Sequence, residues 1–265
     1  MQSNEEILQS LPRDTRLARR TAVVTGSSSG IGEAIARVLA ASGATVVVSG
    51  RDSARAQRVA DTITATGGAA FVVPVDLAGS YDDLRDFARD ATRVLGGRVD
   101  ILVNNAGIYP VSATAGLDDA DLDEVLAINV RAPHVLVAEF APAMAEHGSG
   151  AIINIGSWMS RVGLPFGAMY TASKAALEQM TRTWAAEFGP SGVNVNTVAP
   201  GATTTPGNAD SADVLAAMTA GTAAGRPVRP VDIAFAVRFL ASDEASFVHG
   251  TVLDVDGGIA NTRVG

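Results

Sequence analysis

The sequence contains no cysteine. Disulfides, thiolate metal sites and cysteine nucleophiles are therefore excluded, and the lack of thiols fits a cytoplasmic protein. Lysine is almost missing as well: of the 20 lysine-plus-arginine residues, only Lys174 is a lysine. Charged residues reach just 18 % against 47 % hydrophobic ones, a balance that excludes general disorder. No apolar run is long enough to span a bilayer. The opening MQSNEEILQS is polar and acidic where a signal peptide is basic and then apolar, so none is expected. A net charge of -8 leaves no basic face for nucleic acid or for an anionic membrane. His134, His147 and His249 are scattered without metal-ligand spacing, so no metal is expected.

What is present is a regular alternation. Thr21–Thr25, Thr45–Ser49, Ala70–Pro74, Asp100–Val103, Ala151–Ile155, Val193–Val198 and Thr251–Val255 are short, β-branched and continuously apolar. Continuous apolar character marks strands covered on both faces, as in a parallel sheet. Helical patterns lie between them at Ile31–Ala41, Ser53–Thr66, Asp82–Leu95, Ala120–Glu146, Ala168–Phe188 and Pro230–Ser242. The alternation predicts an α/β fold, a doubly wound parallel sheet of about seven strands with helices on both faces. Residues 21–265 read as one domain. Residues 1–20 read as an appendage, either a docked helix or a loose tail. Residues 202–229, small and weakly apolar, read as a mobile lid over the substrate.

The first strand runs into Thr25–Gly32, TGSSSGIG, and then into a helix. Glycines there let the backbone approach a pyrophosphate, and the helix amino end offers free N–H groups and a positive dipole end. The second strand ends Ser49-Gly50-Arg51. An acid at that point would hold ribose hydroxyls and repel a 2′-phosphate, whereas Arg51 can pair with one. NADP is therefore expected ahead of NAD. The alternative is a plain surface pair between Arg51 and Asp52.

Tyr170 and Lys174 stand four apart in AMYTASKAALEQM and so share a helix face. A free phenol is a poor base near neutrality, and an adjacent ammonium lowers its pKa. Ser157, just past the fifth strand, can hydrogen-bond a reacting carbonyl oxygen. The sole lysine of the chain occupies the position that needs a compact ammonium rather than a rigid guanidinium fork.

Together TGSSSGIG, Asn104-Asn105-Ala106-Gly107, Asn129, Ser157, Tyr170 with Lys174, and Pro200-Gly201 resemble the classical short-chain dehydrogenase/reductase family. The resemblance runs from about residue 18 to Gly258 and extends to members such as 3-oxoacyl-carrier-protein reductases. It implies a single-domain Rossmann fold and hydride transfer between a nicotinamide and a carbonyl or alcohol carbon. By that resemblance Tyr170 exchanges the proton and Ser157 orients the carbonyl. Lys174 holds the nicotinamide ribose, and Asn129 holds a relay water. The implied cofactor contacts are Gly26, Ser28, Ser29, Ile31, Arg51, Asp76, Leu77, Asn105 and Thr203, with Tyr170 and Lys174. The family also implies a homotetramer acting on a small-molecule carbonyl or alcohol. Ser29 departs from the basic residue that many NADP-using relatives carry, so the NADP expectation rests on Arg51. Trp158, Met159, Phe166 and Tyr109 read either as pocket lining or as plain core. A second class stays open, a non-catalytic nucleotide-binding redox sensor, as does an NAD-preferring sugar or alcohol dehydrogenase.

Overall fold

A computed structural model describes residues 2–262 and 264. Seven strands form one parallel sheet: β1 (Thr21–Val24), β2 (Thr45–Val48), β3 (Ala69–Val72), β4 (Ile101–Asn104), β5 (Gly150–Ile155), β6 (Val193–Pro200) and β7 (Val252–Val255). Their order is β3-β2-β1-β4-β5-β6-β7, so the winding reverses between β1 and β4. A crevice opens beyond the carboxyl ends of the strands at such a reversal.

The strands are largely apolar because alternate residues feed two different cores. Val24, Val48 and Val103 pack with Ile35 and Leu39 of α2 (Gly30–Ala41) and Val237 of α9 (Pro230–Ala241). Val23, Val47 and Leu102 pack instead with Leu84 of α4 (Tyr81–Val94) and with Leu136 and Phe140 on the other face. Truncating a fully buried leucine such as Leu102 to alanine is worth about 2–5 kcal/mol. β3 and β7 are the edge strands; β3 exposes Phe71 and runs over Ala69–Val72 rather than 70–74.

The helix expected over Ala120–Glu146 is divided. α5 (Asp119–Leu126) passes into a π-turn at Ala127–Arg131 before α6 (Ala132–Glu146) begins. The Ala132 N–H bonds to Ala127 O, one residue further back than in an α-helix. Pro133 has no N–H to offer Asn129 O, so the regular ladder cannot run through this point. Asn129 lies inside the turn and is fully buried.

Residues 2–20 lie against the domain. Ser3 and Glu6 form a capping box at the start of α1 (Asn4–Gln9), and Leu8 and Leu17 enter the first core. Glu5 pairs with the buried Arg37 of α2 at 3.1 Å. Asn4 Oδ1 accepts the Val231 N–H at 2.9 Å, and Arg229 Nη1 donates to Gln2 O at 3.0 Å. The segment thus fastens the start of α9. Between β6 and α9, residues 202–229 carry α8 (Ala212–Thr219), and a bridge between Thr203 and Val228 closes their base.

Candidate active site

The glycine-rich turn lies at the sheet's reversal point. Ser27 Oγ donates to Val24 O at 2.7 Å and accepts the Ser49 N–H at 2.9 Å, which ties the ends of β1 and β2. Asn105 Nδ2 donates to Thr25 O at 2.8 Å and ties the turn to the end of β4. A Cβ on Gly32 would fall 2.3 Å from Gly26 O, so helix and turn meet only because that side chain is absent. Ser29, the N-cap of α2, makes no side-chain cap bond. The first N–H groups of the helix are thereby left for an anion.

A cleft of about 390 Å³ begins here. Gly26, Ser28, Ser29, Ile31, Arg51, Asp76, Leu77 and Asn105 all line it. The donor set suits a dinucleotide phosphate: uncapped helix N–H groups, small side chains and two arginines at one end. The second arginine is Arg55, which the sequence reading missed; it stands on α3 (Ser53–Ala65) and pairs with Asp52 at 2.9 Å. Arg51 pairs not with Asp52 but with Glu124 across the cleft mouth, at 3.5 Å. Helical spacing from the N-cap Asp52 would have found Arg55.

Thr203 is buried, and its hydroxyl donates to Gly201 O at 2.8 Å. Thr205, Pro206 and Gly207, which follow it, line the cleft. A bridge to Val228 pins the Thr203 backbone.

At its inner end the cleft reaches Gly107 and Ile108, and the catalytic candidates lie directly behind them. A Cβ on Gly107 would stand 3.1 Å from Lys174 Nζ and 3.3 Å from Asn129 Oδ1. Asn129 Oδ1 accepts the Ile108 N–H at 3.0 Å, and its Nδ2 donates to Ile108 O and to Ser173 Oγ, each at 3.0 Å. Its side chain is therefore spent on holding the loop after β4. Lys174, buried on α7 (Ala168–Phe188), donates to Ile155 O at 2.8 Å. Burial pulls its pKa down to about 8.

Tyr170 stands one turn before Lys174, with Nζ 5.9 Å from its ring centre. Burial raises the phenol pKa, and a hydrogen bond with Ser157 opposes that rise. The direction is opposite to that expected from an adjacent ammonium. Desolvation of the buried phenol dominates, while Lys174 Nζ is directed at Ile155 O. Tyr109 adds to the apolar surroundings, its ring centre 4.5 Å from that of Tyr170.

Glu178, one further turn along α7, was also missed. It is buried and meets the Ser160 hydroxyl, while Arg161 Nε approaches it at 3.8 Å. Arg161 also donates to Asp254 on β7. A carboxylate at i+4 from a lysine reads in sequence as a surface helix pair, which is why it gave no signal. Among the described residues no group of three metal-ligating side chains occurs, and no helix is long and apolar enough to cross a membrane.

A Rossmann sheet, a phosphate-ready helix end and a serine-tyrosine-lysine cluster at the same crevice define a dinucleotide-dependent oxidoreductase. Comparison with known proteins narrows the class. The family model described as enoyl-(acyl carrier protein) reductase matches residues 26–260. A cis-4-hydroxycyclohexanecarboxylate dehydrogenase of Sinomonas cyclohexanicum is 41% identical over 243 residues, 91% of this chain and 96% of that protein. A solved structure of a short chain dehydrogenase/reductase family protein is 44% identical with a TM-score of 0.86, covering 93% of this chain and 100% of its own. Another, from Beutenbergia cavernae, is described as an NAD(P)-dependent gluconate 5-dehydrogenase with NADP bound at low occupancy. It is 43% identical with a TM-score of 0.87, covering 93% of this chain and 98% of its own. The chain belongs to the short-chain dehydrogenase/reductase family and is an NAD(P)-dependent oxidoreductase acting on alcohols or ketones.

Proposed function

We propose that the protein interconverts a secondary alcohol and a ketone with Tyr170 as the proton-exchanging group, and that it prefers NADP(H). The observation that carries this reading is the meeting of Ser157, Tyr170 and Lys174 behind Gly107, at the inner end of the cleft. NADP(H) would be held by the uncapped end of α2 and by Asn105, with Arg51 and Arg55 near its 2′-phosphate. When bound it supplies or accepts the hydride.

The side chains divide the remaining work. Ser157 and Tyr170 together offer two hydroxyls to one substrate oxygen. In reduction Tyr170 gives its proton to that oxygen as it becomes an alkoxide; in oxidation the phenolate takes it back. A phenol held high by burial is a ready donor only if its anion is stabilised at the moment of transfer. Lys174 can do this by leaving Ile155 O for the tyrosine oxygen side. Asn129 fixes Ile108 and Ser173 and so holds the loop that separates lysine from cleft.

The test is turnover by Tyr170→Phe with NADPH and a ketone panel. Loss of at least a thousandfold in kcat with an unchanged melting temperature supports the reading; near-normal turnover overturns it. Residues 202–229 are proposed as the lid, residues 1–20 as a structural appendage, and the assembly as a homotetramer.

A further inference from the structure

Besides the two large cores, the fold contains a third apolar cluster, and this one includes Tyr170. Its buried members are Trp158, Met159, Ala202 and Ile259. Phe166 and Leu215 pack against it half-buried, as does Tyr170 itself. These residues come from the connections after β5 and β6 and from the turn after β7. All three lie at the carboxyl ends of the strands. A sheet of this kind does not need a core there, since its two faces are already covered.

Arg161, Asp254 and Asp256 are engaged elsewhere. Arg161 is taken by Asp254 and Glu178. Asp256 accepts the N–H groups of Gly258 at 2.7 Å and Ala260 at 3.0 Å. Asp254 is further held by Asn261 Nδ2 at 3.4 Å. The phenols of Tyr109 and Tyr170 bring polar oxygens to an otherwise hydrocarbon wall, and Tyr109 is pressed against Gly167.

We propose that this wall selects an uncharged substrate with a hydrocarbon body, a cyclic or branched secondary alcohol or its ketone. The inference rests on the proposed role of Tyr170. The reacting oxygen faces Ser157 and Tyr170, and the rest of the molecule lies against Met159, Phe166 and Leu215. A polyol placed there would bury hydroxyls without partners, and a carboxylate would lose water without meeting a free cation. Substrates of both kinds are thereby disfavoured, including the hydroxy acids named for two of the relatives. Discrimination of this sort is strong because the rejected molecule, not the accepted one, is left with unmade hydrogen bonds.

The experiment measures kcat/KM with NADP+ for cyclohexanol, cis-4-hydroxycyclohexanecarboxylate and gluconate on the full chain. Cyclohexanol should exceed each of the acids by at least a hundredfold. A preference for gluconate or for the carboxylate overturns the inference while leaving the oxidoreductase reading intact. Failure to oxidise any of the three, together with inactivity toward a wider ketone panel, would instead remove the reading on which it rests. Two variants sharpen the outcome. Leu215→Arg should lower cyclohexanol turnover at least tenfold and raise that of the carboxylate, with folding checked by the melting temperature. Phe166→Ala should raise KM for cyclohexanol several-fold and leave the dissociation constant of NADPH unchanged. Equal loss on all substrates in both variants would mean that these side chains are plain packing and would refute the wall.

Discussion

The Ser160 hydroxyl lies between the backbone oxygen of Ser157, at 2.7 Å, and the carboxylate of Glu178. One serine thus joins the turn that carries Ser157 to the helix that carries Tyr170 and Lys174. Replacing Glu178 by leucine should loosen this joint and strand Arg161 and Ser160. We expect kcat to fall about tenfold with NADPH affinity unchanged, and stability to drop by about 1–3 kcal/mol. Glu178→Gln, which keeps a partner for Ser160, should recover most of the turnover. If leucine and glutamine behave alike in kcat, the joint has no bearing on Ser157.

Lys174 gives a second prediction with a worked sign. Its pKa is near 8 in the fold against 10.5 ordinarily. Between those values the unfolded chain holds the extra proton, so this residue makes stability rise with pH across that window. Below about pH 8 the fold carries a buried ammonium, at a cost of up to ~3 kcal/mol. Lys174→Met should therefore abolish turnover yet stabilise the cofactor-free protein at pH 7 by about 1–3 kcal/mol, and flatten the pH dependence. Chemical denaturation at pH 7 and pH 9.5 checks both; a less stable variant at pH 7 would show that the bond to Ile155 O outweighs desolvation.

Arg51 and Glu124 provide the third. Arg51→Ala should weaken NADPH by roughly ten- to a hundredfold and NADH little, since losing a charge-assisted contact costs about 1.5–3 kcal/mol. Their own pair is exposed and worth under about 1 kcal/mol. Glu124→Gln should therefore tighten NADPH by only two- to fivefold, and the gain should vanish at high salt. Equal effects on both cofactors would detach Arg51 from the 2′-phosphate.

The amino-terminal segment supplies the fourth. Removing residues 2–10 takes away Glu5 from the buried Arg37 and Asn4 from the Val231 N–H. Stability should fall by about 2–4 kcal/mol. Because Arg229 and Val231 follow the Thr203–Val228 bridge directly, hydrogen exchange in residues 202–229 should quicken as well. Unchanged exchange there would confine the segment to global stability.

The sheet was legible because its strands are apolar on both faces, and Val23 and Val24 show why: each points into a different core. The phosphate turn was legible because Gly32 has no room for a side chain. The π-turn was not, although Pro133 marks it. A proline near a helix start is ordinarily harmless, and only the unbroken helix before it makes its missing N–H decisive. Glu178 escaped because its partners Ser160 and Arg161 are distant in sequence. Lys174 was singled out by rarity, but the burial of Tyr170 that raises its pKa could not be read from the sequence.

A protein whose sole lysine is sealed behind a loop has a built-in timer. Any acyl or alkyl group later found on that lysine must have arrived while Gly107 and its neighbours stood aside. The speed of such marking, followed one molecule at a time by mass, then measures how often the catalytic chamber opens rather than how reactive the amine is.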